Sequence, residues 1–343
     1  MKAIRKLTAS AGADVCDVPV PTIGDDGVLV KVKAASVCGT DIHIYGWDKW
    51  SQNRIKPPMT FGHEFSGEVV EKGKNVKSIK IGDKISAETH IPCGYCYTCR
   101  TGNMHLCENL KILGVDTDGA FAEYVALPEI CAWKNPPEMP DNFASIQEPL
   151  GNACYTVAEG HVQGKQVVIF GDGPIGIFAT AIARAFGATK IIGVGLNEYR
   201  MNMMSKMNPD CVLSAKDERL REKILDITHG GPEVILEMSG APKAVEDSFK
   251  VIRRMGTLVF FGIPSAPLTV DIAEGVIFKG LKMVGINGRK MFETWYQVSG
   301  LVANHRLDLS SVMTHEFKLE QIDEAMKLLD PKNPQAGKIV LRP

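Results

Sequence analysis

A short apolar run, Gln166-Val-Val-Ile-Phe170, leads at once into Gly171-Asp-Gly173-Pro-Ile-Gly176 and then into a stretch of helical character reaching Phe186. Strand, glycine turn and helix in that order describe the first crossover of a doubly wound parallel sheet. The first glycine permits the tight bend, the second lets a pyrophosphate approach the backbone, and the third lets helix pack on strand. Free N–H groups and partial positive charge at the helix start favour that anion. Pro174 suits the first helical turn, where its missing donor costs little. A glycine-rich turn without a ligand is the competing reading. The rest of the region supports the sheet. Runs at Lys190–Val194, Cys211–Leu213, Glu233–Leu236, Thr257–Phe261 and Lys282–Gly285 alternate with helical stretches beginning at Asn197, Asp217 and Pro242. Alternating strands and helices argue for an α/β domain with a parallel sheet.

Residues 1 to about 150 have a different texture, rich in strands and loops. Val28–Val32 and Gly67–Val70 read as strands, bounded by turn signals at Gly24–Gly27 and Gly73–Asn75. Within this half falls Cys93-Gly-Tyr-Cys96-Tyr-Thr-Cys99, then seven residues to Cys107. Thiolates are soft anionic donors, and two-residue gaps let a turn aim several sulfurs at one tetrahedral zinc ion. Four sulfurs also close the coordination shell, so this run reads as a structural zinc lobe spanning about residues 90–110 and not as a place of chemistry. A disulfide pair and an iron–sulfur cluster are the alternatives; the spacing is far from common ferredoxin patterns, and nothing suggests export.

At 343 residues the chain is long for one core and comfortable for two domains. A net charge of −1 gives no electrostatic reason to expect nucleic acid or an anionic membrane as partner. Met1–Cys16 lacks the apolar core of a signal peptide, and the most apolar helical stretch is short and broken by Arg184. Nine cysteines, an odd number, fit a reducing compartment. The expectation is a soluble cytoplasmic protein. From Glu293 onward two more helices are expected, ending in the apolar run Lys338–Leu341, whose destination spacing alone does not show.

Two further clusters carry candidate chemistry. Cys38-Gly-Thr40-Asp41-Ile-His43 and Gly62-His63-Glu64 supply a cysteine, a histidine and a carboxylate, a mixed set that can leave one metal position open as catalytic zinc does. Singly, each has a plain explanation: a buried free cysteine, a core histidine, a solvated glutamate. The nucleotide motif lacks one part. An acidic residue is expected about 20 positions on, at the end of the second strand, to bind the ribose hydroxyls. Gly195 stands there instead, with Glu198 and Arg200 close behind. Arg200 can meet a 2′-phosphate or serve as a solvated helix charge, which leaves the choice between NAD and NADP open.

Taken in order, Cys38-Gly-Thr-Asp, Gly62-His63-Glu64-Phe-Ser-Gly67, the four-cysteine lobe and the Gly171 motif resemble the zinc-dependent medium-chain alcohol dehydrogenase family over essentially the whole chain. His43–Trp50, Glu148–Asn152, Asn197–Arg200, Met291–Tyr296 and Leu307–Ser310 with Thr314-His315 narrow the resemblance to a branch acting on L-threonine. The resemblance implies a GroES-like catalytic domain over 1–150 and 290–343 around a Rossmann dinucleotide-binding domain over 151–289. It implies two zinc ions per chain. Cys93, Cys96, Cys99 and Cys107 would hold the structural one. Cys38, His63 and Glu64 would hold the catalytic one, with Glu148 as a nearby ligand or exchangeable carboxylate. Thr40 and His43 would form a proton relay, and His90 would line the substrate pocket. Cofactor contacts would fall on Gly171, Gly173, Ile175, Gly176, Gly195, Arg200, Phe261, Gly262, Ile263, Ile286 and Asn287. Aspartate is the family's residue at position 195, so this chain departs from the pattern there.

The activity so implied is oxidation of the C3 hydroxyl of L-threonine to 2-amino-3-oxobutanoate, with hydride passing to NAD or NADP, in a homotetramer. The substrate is then a small amino acid, with no nucleic acid or membrane partner. A dehydrogenase of the same fold acting on 2,3-butanediol or a polyol is the rival within the family. A non-catalytic protein binding nucleotide and zinc is the rival of another class; an open metal position beside a relay argues against it, since a binder needs neither.

Overall fold

The computed structural model describes residues 1–264 and 266–343. They form two compact units, Met1–Pro149 with Met313–Pro343, and Leu150–Val312.

In the first unit the strands are β1 (Lys2–Lys6), β2 (Asp14–Asp17), β3 (Gly27–Ser36), β4 (Met59–Thr60), β5 (Glu64–Lys72), β6 (Lys84–Ala87), β7 (His90–Ile91), β8 (Lys111–Ile112), β9 (Tyr124–Pro128) and β10 (Ala132–Lys134). Between them lie short helices α1 (Gly39–Gly46), α2 (Lys49–Arg54), α3 (Tyr97–Arg100) and α4 (Asp141–Ser145), and α5 (Gln147–Glu159) starts at the unit's end. Strand β3 organises the unit. It is apolar and buried over most of its length, and it pairs antiparallel with β5 along one edge and β9 along the other. Its valines Val28, Val30 and Val32 meet Phe61, Phe65, Val69, Ile85 and Phe121 in one core. Phe61 and Phe121 pack edge to face at 5.2 Å, the geometry the ring quadrupoles favour. The expected turn holds too: the Gly27 amide donates to the Gly24 carbonyl at 3.0 Å.

The second unit is a six-stranded parallel sheet of β11 (Gln166–Phe170), β12 (Lys190–Gly195), β13 (Cys211–Ser214), β14 (Val234–Glu237), β15 (Thr257–Phe260) and β16 (Lys282–Gly285), in the order β13-β12-β11-β14-β15-β16. Its helices are α6 (Pro174–Ala185), α7 (Glu198–Ser205), α8 (Leu220–Ile227), α9 (Pro242–Val251) and α10 (Glu293–Ala303). The central strands are buried along their length, which is why they read as unbroken apolar runs and not as alternation. Strand order reverses between β11 and β14, the place where a doubly wound sheet opens a crevice for ligand.

The chain then returns to the first unit through β17 (Met313–Lys318), α11 (Ile322–Leu328) and β18 (Lys338–Arg342). Strand β18 pairs antiparallel with β3 and parallel with β17. The boundary of this return differs from the sequence expectation. Residues 290–312, expected with the first domain, belong to the second unit. Trp295 and Val298 of α10 are buried there, and Cys154 Sγ stands 3.3 Å from Gln297 Oε1. An amphipathic helix follows the surface that buries it, and sequence spacing does not reveal which surface that is. Among the described residues no helix is long and apolar enough to cross a membrane.

Lys338, at the start of β18, is almost fully buried and donates to the Val37 carbonyl at 2.8 Å and to Glu64 Oε2. Removing one member of a buried ion pair leaves the other charge without a partner, at a cost of about 3 kcal/mol or more. Lys338→Met is therefore expected to lower the urea midpoint of the purified protein clearly, whereas the exposed Lys2→Met, at a surface pair with Glu320, should barely move it.

Candidate active site

Cys38 lies just beyond the end of β3 and caps the N-terminus of α1, and His63-Glu64 stands at the start of β5. Because β3 and β5 are paired neighbours with Ser36 opposite Glu64, the two motifs meet. The Cys38 sulfur, a His63 ring nitrogen and a Glu64 carboxylate oxygen all lie within 4.8 Å of one another. Glu64 Oε2 accepts from Ser36 Oγ and Lys338 Nζ. Its other oxygen, Oε1, is buried and has no hydrogen-bond partner among the described residues. A buried carboxylate oxygen left this way calls for a cation. Thiolate, imidazole and carboxylate together are a donor set zinc accepts while keeping a position open.

The electrostatics point the same way. Burial by itself would lower the pKa of His63, yet Asp41, Cys38 and Glu148 outweigh it and raise it to about 10. Asp41, whose Oδ1 lies 3.6 Å from His63 Nδ1, is pushed by its burial up to about 6 despite the opposing pull of His63. Its second oxygen accepts the Cys38 amide at 2.8 Å, so Asp41 ties the histidine to the cysteine. The cluster is anion-rich around one imidazole, and a divalent cation there would displace the imidazole proton. These residues fit zinc.

The remaining expected residues fall at different distances from this cluster. Glu148, near the start of α5, is buried, accepts from Thr89 Oγ1 at 3.2 Å, and its charge reaches His63, but it stands outside the 4.8 Å set. Thr40 Oγ1 is 3.9 Å from the Cys38 sulfur. His43 is exposed near the end of α1, with Nδ1 2.6 Å from Asp48 Oδ2. The sequence reading missed Asp48. It caps α2, and its Oδ1 accepts the Ser51 amide at 3.0 Å. Burial works to raise its pKa, but the Ser51 amide and His43 hold it below the usual carboxylate range. The signal was available, since aspartate followed three residues later by serine at a helix start is a cap pattern. His90 is buried on β7, its amide donating to Glu88 Oε1 at 2.9 Å.

Sulfur atoms of Cys93, Cys96, Cys99 and Cys107 also lie within 4.8 Å of one another. Cys93, Cys96, Cys99 and Cys107 are free thiols, which sets aside the disulfide reading for this lobe. The Cys93 and Asn109 amides donate to Cys107 Sγ at 3.2 and 3.3 Å, and Asn109 Nδ2 reaches Cys93 Sγ at 3.6 Å. Such N–H donors stabilise thiolates. Two zinc ions per chain are thus expected by elemental analysis. Cys38→Ser should keep the fold and hold one; Cys93→Ser should also hold one but melt at a clearly lower temperature, because the closed site contributes folding energy.

In the second unit the glycine turn joins β11 to α6. Gly171 has φ +120°, and a Cβ on Gly176 would stand 2.0 Å from the Gly171 carbonyl oxygen, so both glycines are required by the turn. Gly173 caps α6 with Pro174 next, and a Cβ there would meet nothing within 4 Å. That open space before the amides of a helix start fits a pyrophosphate. Ile175 is half-buried in the first turn. Gly195 ends β12, and Arg200 lies in α7. The amides of Phe261 and Gly262 donate to the Glu237 carbonyl at 2.9 and 3.0 Å, which folds this loop over the end of β14 and leaves Ile263 exposed. The Ile286 amide donates to the Phe260 carbonyl at 2.8 Å, with Asn287 exposed beyond it. All these positions fall at the carboxyl ends of the parallel strands, where a nucleotide binds such a sheet.

Comparison with known proteins identifies the family. Residues 24–137 match the alcohol dehydrogenase GroES-like domain, and residues 174–304 match the zinc-binding dehydrogenase domain. The L-threonine 3-dehydrogenase of Bacillus licheniformis is 47% identical, over 100% of this chain and 99% of its own. A zinc-binding dehydrogenase of Sinorhizobium meliloti bound to NADP superposes with a TM-score of 0.91 at 27% identity, over 100% of this chain and 99% of that one. An alcohol dehydrogenase of Escherichia coli complexed with NADH also reaches 0.91, at 25% identity and the same coverage. This chain belongs to the zinc-binding alcohol dehydrogenase family.

Proposed function

We propose that this protein is an L-threonine 3-dehydrogenase: it oxidises the C3 hydroxyl of L-threonine to 2-amino-3-oxobutanoate with NAD or NADP as acceptor. The observation that carries the chemistry is the Cys38, His63 and Glu64 cluster with its unpartnered Glu64 oxygen; full-length identity to relatives of that name carries the substrate. The O–H proton leaves towards solvent and the C3–H leaves as hydride. Zinc held by these three residues would supply Lewis acidity that favours loss of the hydroxyl proton near neutral pH. The nicotinamide would supply the hydride acceptor.

The chain's own residues handle the proton and the geometry. Thr40 Oγ1, beside Cys38, is placed to accept a hydrogen bond from the substrate hydroxyl. His43 relays the proton outward, because it is exposed and its second ring nitrogen can take up and release a proton. With Nδ1 donating to Asp48, its Nε2 is left as the acceptor. Glu148 modulates the charge at the cluster, and His90 lines the pocket. The reading as a cytoplasmic enzyme is supported by the four free thiols clustered at Cys93, Cys96, Cys99 and Cys107, which a reducing compartment preserves. The reading as a homotetramer is supported by β16, an edge strand next to exposed Ile277, Phe278 and Met283; an apolar sheet edge of this kind favours pairing across a two-fold axis.

Absorbance at 340 nm should rise when L-threonine and oxidised cofactor are added to the zinc-loaded protein, and remain far smaller with 2,3-butanediol or polyols. A faster rate with a diol assigns the rival substrate, and no turnover with any of them supports a non-catalytic binder. Asp48→Asn should lower kcat for L-threonine on the order of tenfold with little change in KM, by loosening the tautomer of His43; an unchanged kcat removes Asp48 from the relay. Phe278→Asp should reduce the assembly mass measured by light scattering.

A further inference from the structure

The acidic residue that a dinucleotide-binding turn requires at the end of its second strand is missing from its usual position, which is Gly195. A carboxylate is nevertheless present at that spot. A Cβ built on Gly195 would lie 2.7 Å from Asp172 Oδ2, 2.7 Å from Asp172 Cβ and 2.7 Å from Met201 Cγ. Within an aspartate, Cβ and a carboxylate oxygen are ~2.4 Å apart, from standard bond lengths. The Asp172 oxygen therefore stands at about the distance from position 195 at which an aspartate there would hold its own carboxylate, and Asp172 with Met201 leaves no room for a side chain at 195. Asp172 sits inside the glycine turn, between Gly171 and Gly173, so it reaches this place from the neighbouring strand end.

Two further contacts fix it there. Asp172 Oδ2 accepts the backbone amides of Leu196 and Asn197, at 2.7 Å each. Those are the first two amides beyond β12, and with the carboxylate on them neither can turn to a 2′-phosphate. Arg200, the cation that would meet such a phosphate, lies within electrostatic reach of the same carboxylate.

We propose that Asp172 takes over the role of the missing acidic residue: it accepts the adenosine ribose hydroxyls and repels a 2′-phosphate, so that this protein selects NAD over NADP. Gly195 and Asp172 are then one exchange, a carboxylate moved from the second strand to the glycine turn with the vacated position kept bare. The proposal rests on the dinucleotide reading of the Gly171 turn.

Calorimetric titration of the full-length zinc-loaded protein with ADP-ribose and with 2′-phospho-ADP-ribose tests it without turnover. The wild type should bind ADP-ribose more tightly by about tenfold or more, since like charges brought together are strongly unfavourable. Asp172→Ala should bring the two affinities together, chiefly by strengthening the phosphorylated ligand. Asp172→Asn, which keeps the shape and an acceptor for the amides but loses the charge, should do much the same. Adding Gly195→Asp to Asp172→Ala should restore the preference, while Gly195→Asp alone should weaken both ligands because its side chain meets Asp172. Circular dichroism would confirm that each variant is folded. Equal affinities in the wild type, or an unchanged ratio in folded Asp172→Asn, would overturn the role of Asp172. Binding of neither ligand would instead remove the dinucleotide reading, and the proposal with it.

Discussion

A carboxylate taken fully out of water must find a cation or a set of donors, and Glu64 is such a carboxylate. One of its oxygens is met by Ser36 on β3 and by Lys338 on the chain's last strand. The other is buried with no hydrogen-bond partner among the described residues, in a carboxylate that lies beside Cys38 and His63. The partner amine lies 274 residues further along the chain, so the charge on Glu64 is balanced from the last strand, β18, which pairs with β3. Strand β3 joins the two contributions, because it pairs with both β5 and β18 and ends at Ser36, just ahead of Cys38.

The two sulfur-bearing clusters divide the work by their donor chemistry. Four thiol sulfurs in one group fill a tetrahedral shell, and amide donors around Cys107 and Cys93 stabilise charge on them. Nothing there is left for a substrate. The mixed set of Cys38, His63 and Glu64 has fewer donors, and the proposed relay leads away from it through Thr40 and the His43–Asp48 pair. An ion bound there keeps a position for a reacting oxygen. The nucleotide end of the second unit works on another principle, with open backbone at Gly173 and strand ends that present amides to an anion.

How much of this was legible in the sequence follows from what kind of contact each feature needs. The glycine turn, the flanking strand and helix, and the cysteine spacing are local, so Gly171, Gly173 and Gly176 and the four cysteines could be read directly. The pairing of Cys38 with His63 and Glu64 needed the resemblance, since only strand register brings them together. Lys338 gave no signal at all: a lysine opening an apolar run reads as a solvated charge until the strand is placed. The end of the first unit's return, at Met313 and not at 290, depended on which surface buries Trp295. Asp172 was hidden for a different reason. It occupies a variable position of a familiar motif, and its meaning appears only when its carboxylate is seen beside Gly195.

The proposed chemistry stands on zinc being held by Cys38, His63 and Glu64. Crystals of the protein with its metal, recorded just above the zinc absorption edge, test this most directly. The prediction is two anomalous peaks per chain, one among the four cysteines and one within bonding distance, about 2.0–2.3 Å, of Cys38 Sγ, a His63 ring nitrogen and Glu64 Oε1. A single peak at the cysteine lobe, with Glu64 Oε1 facing only protein atoms or water, would contradict it.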